Sequence, residues 1–152
     1  MADIADELRQ NATSLAHLRH VVERLSAEDL ERSLGAGWTV TTALGHLAFW
    51  DTRQLATVRH HIETGAPLGT GGPPALEDSD DIVNVAVAAL ANAADPERMR
   101  VEVLRAAEAI NHFLEDTDPS LLAPIVDGGH AYVVRRWEHR EEHLEQIESG
   151  LG

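Results

Sequence analysis

Apolar positions along the chain fall into stripes with helical spacing. Ile4, Leu8, Leu15, Leu18, Val22 and Leu25 recur at intervals of three, four and seven, which marks one buried face of a first helix. His17 and His20 fall on its opposite face. "SAED" from Ser26 reads as a capped short turn, with Ser at the N-cap and an acid three residues later. Gly35 and Gly37 then break the chain before Trp38. A second helix is predicted from about Thr39 to Thr64, stopping at Gly65, with Val40, Leu44, Leu47, Leu55, Val58 and Ile62 as its stripe. His46 lies on the flank of that stripe with Ala43 and Trp50, whereas His60 and His61 sit in the last turn, where a surface imidazole needs no special role.

The Gly- and Pro-rich stretch "GAPLGTGGPPALEDS", residues 65–79, is the one long linker; it can cross the end of a bundle and serve as a lid. A third helical region follows in two parts. Ile82 to about Ala93 is small and apolar; Asp95 then caps a new start with Pro96 at the first helical position. Met99, Val103, Ala106, Ile110 and Phe113 form its stripe, and His112 points away. Residues 117–129 read as a second loop, and a last helix is predicted from near Gly129 to about Ser149. No repeat or second domain is visible, so residues 1–152 are expected to form one domain.

On the last helix Val133, Trp137, Leu144 and Ile147 define the apolar side. Tyr132, His139 and His143 share the arc beside it, Glu138, Glu141 and Glu145 take the far side, and Glu142 falls between. One helical turn is about 5.4 Å, so imidazoles at i and i+4 can converge on one ion roughly 2.0–2.1 Å from each nitrogen. The same spacing also fits two surface histidines on a charged helix. His46 adds weight to the metal reading, because it too stands beside an apolar stripe and near a Trp. "HREEH" matches H-x-x-E-H, but only a short tail follows His143, which leaves no room for the carboxylate ligand of the inverted zinc proteases. H-E-x-x-H, E-x-x-H and G-x-S-x-G are absent from the sequence.

Composition narrows the chemistry. Apolar residues make up 43% and aromatics only 4%, a balance that favours an all-α fold over strands. The formal charge is −14, and the chain stays negative even with all nine histidines protonated. Nucleic acid and anionic membrane surfaces are therefore not expected partners. All twelve basic residues are Arg and there is no Cys. This excludes a Cys nucleophile, a thiolate metal site and a Schiff-base or P-loop lysine, and it fits a reducing cytoplasm. The acidic start "MADIADELRQ" lacks a signal-peptide core, and no apolar run is long enough for a membrane span.

"WTVTTALGHLAFWDTR", followed much later by "WEHREEHLEQI", resembles the DinB/YfiT-like family of metalloenzymes across essentially the whole chain. The resemblance implies a four-helix bundle with up-down-down-up connectivity and a divalent metal held by His46, His139 and His143. It implies a homodimer and a small-molecule substrate, with relatives that are thiol-dependent: mycothiol- or bacillithiol-using transferases and the mycothiol-dependent maleylpyruvate isomerase. That isomerase carries an extra C-terminal domain, and this sequence ends just after the last ligand helix. No residue here specifies a thiol cosubstrate. Zn²⁺ is the first choice of ion and Ni²⁺ the second, since imidazole-rich sites discriminate weakly. A metal-dependent hydrolase on the same site and a non-catalytic helical binding bundle are the alternatives. Trp50 and Tyr132 are candidate pocket walls, with core packing as Trp50's other reading; Trp38 and Trp137 are expected in the core. Arg136 and Arg140 could meet an anionic substrate or pair with glutamates or another helix, and Glu142 could act as a base or stand in solvent.

Overall fold

Side-chain caps set the starts of several helices. Asp3 accepts from the backbone N–H of Asp6 and begins α1 (Ile4–Arg24). Ser26 and Asp29 form the expected capping box of the short α2 (Ala27–Glu31). A two-stranded hairpin follows, β1 (Ser33–Gly35) against β2 (Trp38–Thr39). Its turn carries positive φ at Gly35 (92°), Ala36 (53°) and Gly37 (80°) in a row, which the two glycines adopt freely and Ala36 adopts against its Cβ. Thr39 and Thr42 then cap α3 (Val40–Thr64), which ends in the left-handed Gly65. The structure is a computed structural model, and it describes residues 1–68 and 77–152, with side chains from residue 80 onward in the second stretch. The expected lid falls mostly on 69–76, outside the described residues. After α4 (Glu77–Ala93), Asp95 and Pro96 open α5 (Pro96–Asp116) as anticipated.

The predicted loop at 117–129 is largely helical. Asp118 caps α6 (Pro119–Ile125) with Pro119 in its first turn, the same Asp-Pro signal that opens α5. A π turn at Val126–His130, kinked at Gly129 (φ 89°), leads into the single turn α7 (Ala131–Val134). The last long helix, α8 (Trp137–Leu151), therefore starts at Trp137 and not near Gly129. The break is made from outside. Asn11 of α1 donates to the Val134 carbonyl (2.8 Å), while its Oδ1 accepts the backbone N–H groups of Arg136 and Trp137 (3.0 Å each). One buried side chain thus closes α7 and supplies the N-cap that α8 lacks.

Apart from the hairpin the described fold is all-α. Helix α3 packs on α5 and α4, and α1 packs on α8 and α5. The contact of α3 with α4 is close: a Cβ on Gly45 would stand 2.6 Å from the Ala91 Cβ. Buried side chains form two apolar clusters. One gathers Leu18, Val22, Leu44, Leu47, Val103, Leu144 and Ile147, the other Ile4, Val58, Ile110, Leu114, Val133 and Val134. Asn11 and Ser14 on α1 and Asp51 and Gln54 on α3 are buried polar residues that lie in sequence between the two clusters, and the buried Asn111 of α5 and Arg140 of α8 are hydrogen-bonded to each other. No helix among the described residues is long and apolar enough to cross a membrane.

Candidate metal centre

His46, two turns into α3, meets His139 and His143 from successive turns of α8. The three offer ligand atoms that all lie within 4.8 Å of one another. Ring centroids are 5.0 Å apart for His46–His139, 4.6 Å for His46–His143 and 4.8 Å for His139–His143. The Nε2 atoms of His46 and His139 face each other at 3.0 Å. With metal–nitrogen bonds of roughly 2.0–2.1 Å, ligands at right angles would stand about 2.9 Å apart and tetrahedral ones about 3.3 Å. The observed separation lies within that range.

The surroundings of His46 and His139 favour their neutral rings, as ligation requires. Burial, reinforced by the nearby His143, lowers the pKa of His46 to about 4. For His139 burial again comes first, followed by the charge of Arg136, and together with lesser charges they lower it to about 2. The Arg136 guanidinium, which has no counterpart acting on His46, adds to burial in the larger shift of His139.

Hydrogen bonds around the rings decide where protons sit. Gln146 Oε1 accepts from Nδ1 of His143 at 3.0 Å, which leaves Nε2 of that ring as a lone pair for an ion. Arg136 Nη2 lies 3.3 Å from Nδ1 of His139 and donates to it, which puts the ring proton on Nε2, facing His46. Ligation through Nε2 would move that proton to Nδ1. Arg136 would then give up this one contact and keep its bonds to Asp51 Oδ1 (2.8 Å) and the Tyr132 carbonyl (2.7 Å). Nδ1 of His46 is buried without a partner. The three-imidazole donor set fits a divalent ion, with one supporting contact that has to adjust.

Behind the histidines lies a buried ionic cluster. Asp51 of α3 accepts from Arg136 and Arg140, and its side chain is 1% exposed. Arg140 has no exposed surface, and all its N–H groups are used: Nε on Asp51, Nη1 on the Asn11 carbonyl and Ser14, Nη2 on the Ala107 carbonyl and Asn111. Both arginines pair across helices and neither reaches solvent, so the expectation of contact with an anionic substrate gives way to pairing with another helix.

The walls differ from expectation. Trp38 packs half-buried against the first apolar cluster, as expected, and it also borders the site: its ring lies 5.0 Å from His46 and stacks within 13° of parallel on His143. Trp50 stands 6.3 Å from His46 and donates from Nε1 to Asn84 on α4 (2.8 Å). Tyr132 is 45% exposed and its ring packs against His130; only its carbonyl serves the site, through Arg136. Trp137 is half-buried and donates to Glu7, which also pairs with Arg135. Glu142 is exposed and lines a cleft of about 470 Å³ beside His143. His17, placed by the apolar pattern on an outer face, is instead a bridge to α8, 2.8 Å from Glu141 and 2.7 Å from Glu148.

Sequence reasoning passed over Asn11, Asp51 and Gln146. A signal for the first two was present: Ile4, Glu7, Asn11, Ser14 and Leu18, and likewise Leu47, Asp51, Gln54 and Val58, keep core spacing straight through polar residues. Compared with protein-family models, with curated proteins and with solved structures, the chain matches none.

Proposed function

We propose that this chain is a DinB/YfiT-like divalent-metal protein, and that its three-histidine centre serves a transferase reaction between a low-molecular-weight thiol and a small-molecule substrate in a reducing cytoplasm. The observation that carries the reading is the convergence of His46, His139 and His143 from two helices far apart in sequence. A divalent ion there would supply Lewis-acid activation of a thiol or of water. The chain's own residues hold the rings of His46 and His139 neutral, fix the tautomer of His143 through Gln146, and wall the centre with Trp38 and Trp50. Zn²⁺ is the first choice and Ni²⁺ the second, as suits an all-imidazole set.

Up-down-down-up bundle connectivity is supported by the order in which the long helices meet the two apolar clusters. Helix α1, and α7 followed by α8, pass from the Ile4 cluster to the Leu18 cluster, and α3 and α5 pass the other way. A homodimer is supported by α4. From Ile82 to Ala94 it carries no charge, and Ile82, Val85 and Leu90 are 68%, 73% and 73% exposed. On a chain of charge −14 this is the face where a second copy meets no like charge.

Elemental analysis of untagged protein, purified without added metal or chelator, tests the centre. About one divalent ion per chain, absent from His46→Ala, is the expected result. A protein that holds no metal and fails to take up Zn²⁺ or Ni²⁺ would end the enzyme reading. Activity that needs no added thiol would move it to a hydrolase.

A further inference from the structure

The cleft of about 470 Å³ beside His143 is lined by Leu34, Gly35, Ala36, Trp38, Glu142 and Gln146. One wall is the hairpin turn, which is pinned to α8: a Cβ on Gly150 would meet the Leu34 side chain at 2.4 Å, so Leu34 sits directly on that glycine. The other wall is α8 itself. Trp38, stacked on His143, joins the two. The volume suits a small molecule.

Charge then selects the kind of molecule. Glu142 is the one ionisable acid in the lining, and no arginine lines the cleft. Of the nearby glutamates, Glu141 and Glu148 are engaged by His17 and Glu138 by Arg135, while Glu145 borders the adjoining surface with Glu142 and adds to its negative field. Glu142 has no ion-pair partner among the described residues. The closest cationic groups behind the site, Arg136 and Arg140, are buried and bound to Asp51, so they cannot receive a ligand's carboxylate here. A free carboxylate beside an indole is a setting that favours an ammonium group over a neutral or anionic one.

We infer that this cleft binds the ammonium end of a small amine, with the Glu142 carboxylate as counter-ion, Trp38 as the aromatic wall and His143 at the inner end. The inference deepens the proposed function by naming the substrate class at the same site, and it rests on that reading only for what the ligand's other end would meet. Amine binding itself needs no ion.

The test is a nuclear magnetic resonance titration of ¹⁵N-labelled full-length protein with 2-phenylethylamine, 2-phenylethanol and 3-phenylpropionate, the Trp38 indole signal being assigned with Trp38→Phe. The amine is expected to shift the Trp38 indole and Gln146 side-chain signals and to bind roughly three- to fivefold more tightly than the alcohol, the scale of one exposed charge contact. The acid is expected to bind weakest. Glu142→Gln, a change at an exposed position, should erase the amine's advantage and leave the rest of the spectrum in place. Equal binding of amine and alcohol, an advantage that survives in Glu142→Gln, or shifts that map elsewhere would each overturn the inference. His46→Ala separates the two readings: amine selectivity is expected to persist there, so a failed metal analysis leaves this inference standing, and a failed titration leaves the metal centre standing.

Discussion

Asp51 is the residue on which the site's support turns. It is the sole carboxylate between two buried guanidinium groups, one of which holds the ring of His139. Removing one partner of a buried ion pair is far more costly than its net worth, because the remaining charge is left without compensation. Asp51→Asn is therefore expected to lower unfolding stability by about 3–5 kcal/mol, read as a shift of the urea midpoint. A midpoint within roughly 0.5 kcal/mol of wild type would mean that the arginines do not depend on it. At this scale the three histidines that converge were legible and the residues that support them were not. His46, His139 and His143 stand at the edges of apolar stripes, which periodicity detects. Asp51 and Asn11 occupy core positions themselves, where a reading that follows only apolar residues skips them. Tyr132 was misplaced because the chain breaks between it and the ligand helix, so a single helical wheel does not describe both.

At the scale of elements, α1 is joined to α8 by His17, whose two ring nitrogens face Glu141 and Glu148. Burial works against a charge on this imidazole, and the two hydrogen bonds outweigh it, so its pKa is raised. A raised pKa in the folded state contributes stability that is fully present below the ordinary value of about 6.5 and fades as pH climbs through the folded value. Glu142 and Glu145 border the same surface and add to the favourable field. The stability difference between wild type and His17→Gln, measured by thermal unfolding, should accordingly be larger at pH 6 than at pH 8.5; a difference independent of pH would show that the bridge carries no proton. Element starts with local caps were readable, as α2, α3 and α5 show. The start of α8 was not, because its cap is a side chain 125 residues away. Helix α6 was readable in principle, since Asp118-Pro119 repeats the signal of Asp95-Pro96.

For the whole molecule, charge is the dominant property. A helical class followed from composition alone, whereas the pairing of helices depends on long-range contacts that no local pattern encodes. The uncharged outer face of α4 leads to a test at this scale. Sedimentation should find a dimer in wild type and a monomer in Val85→Glu, and added salt should strengthen association by screening the repulsion between two acidic copies. A Val85→Glu protein that still dimerises would place the interface elsewhere.

The Asn11 bridge also bears on timing. A ribosome releases α1 well before α8, yet the latter's first turn is organised by a residue 125 positions earlier. His139 and His143 are thus held in register only after α1 and α8 have met, a closure of long sequence separation that comes late and slowly. Until that closure the three imidazoles of the candidate centre stay apart, so under the proposed function metal loading is expected to follow folding.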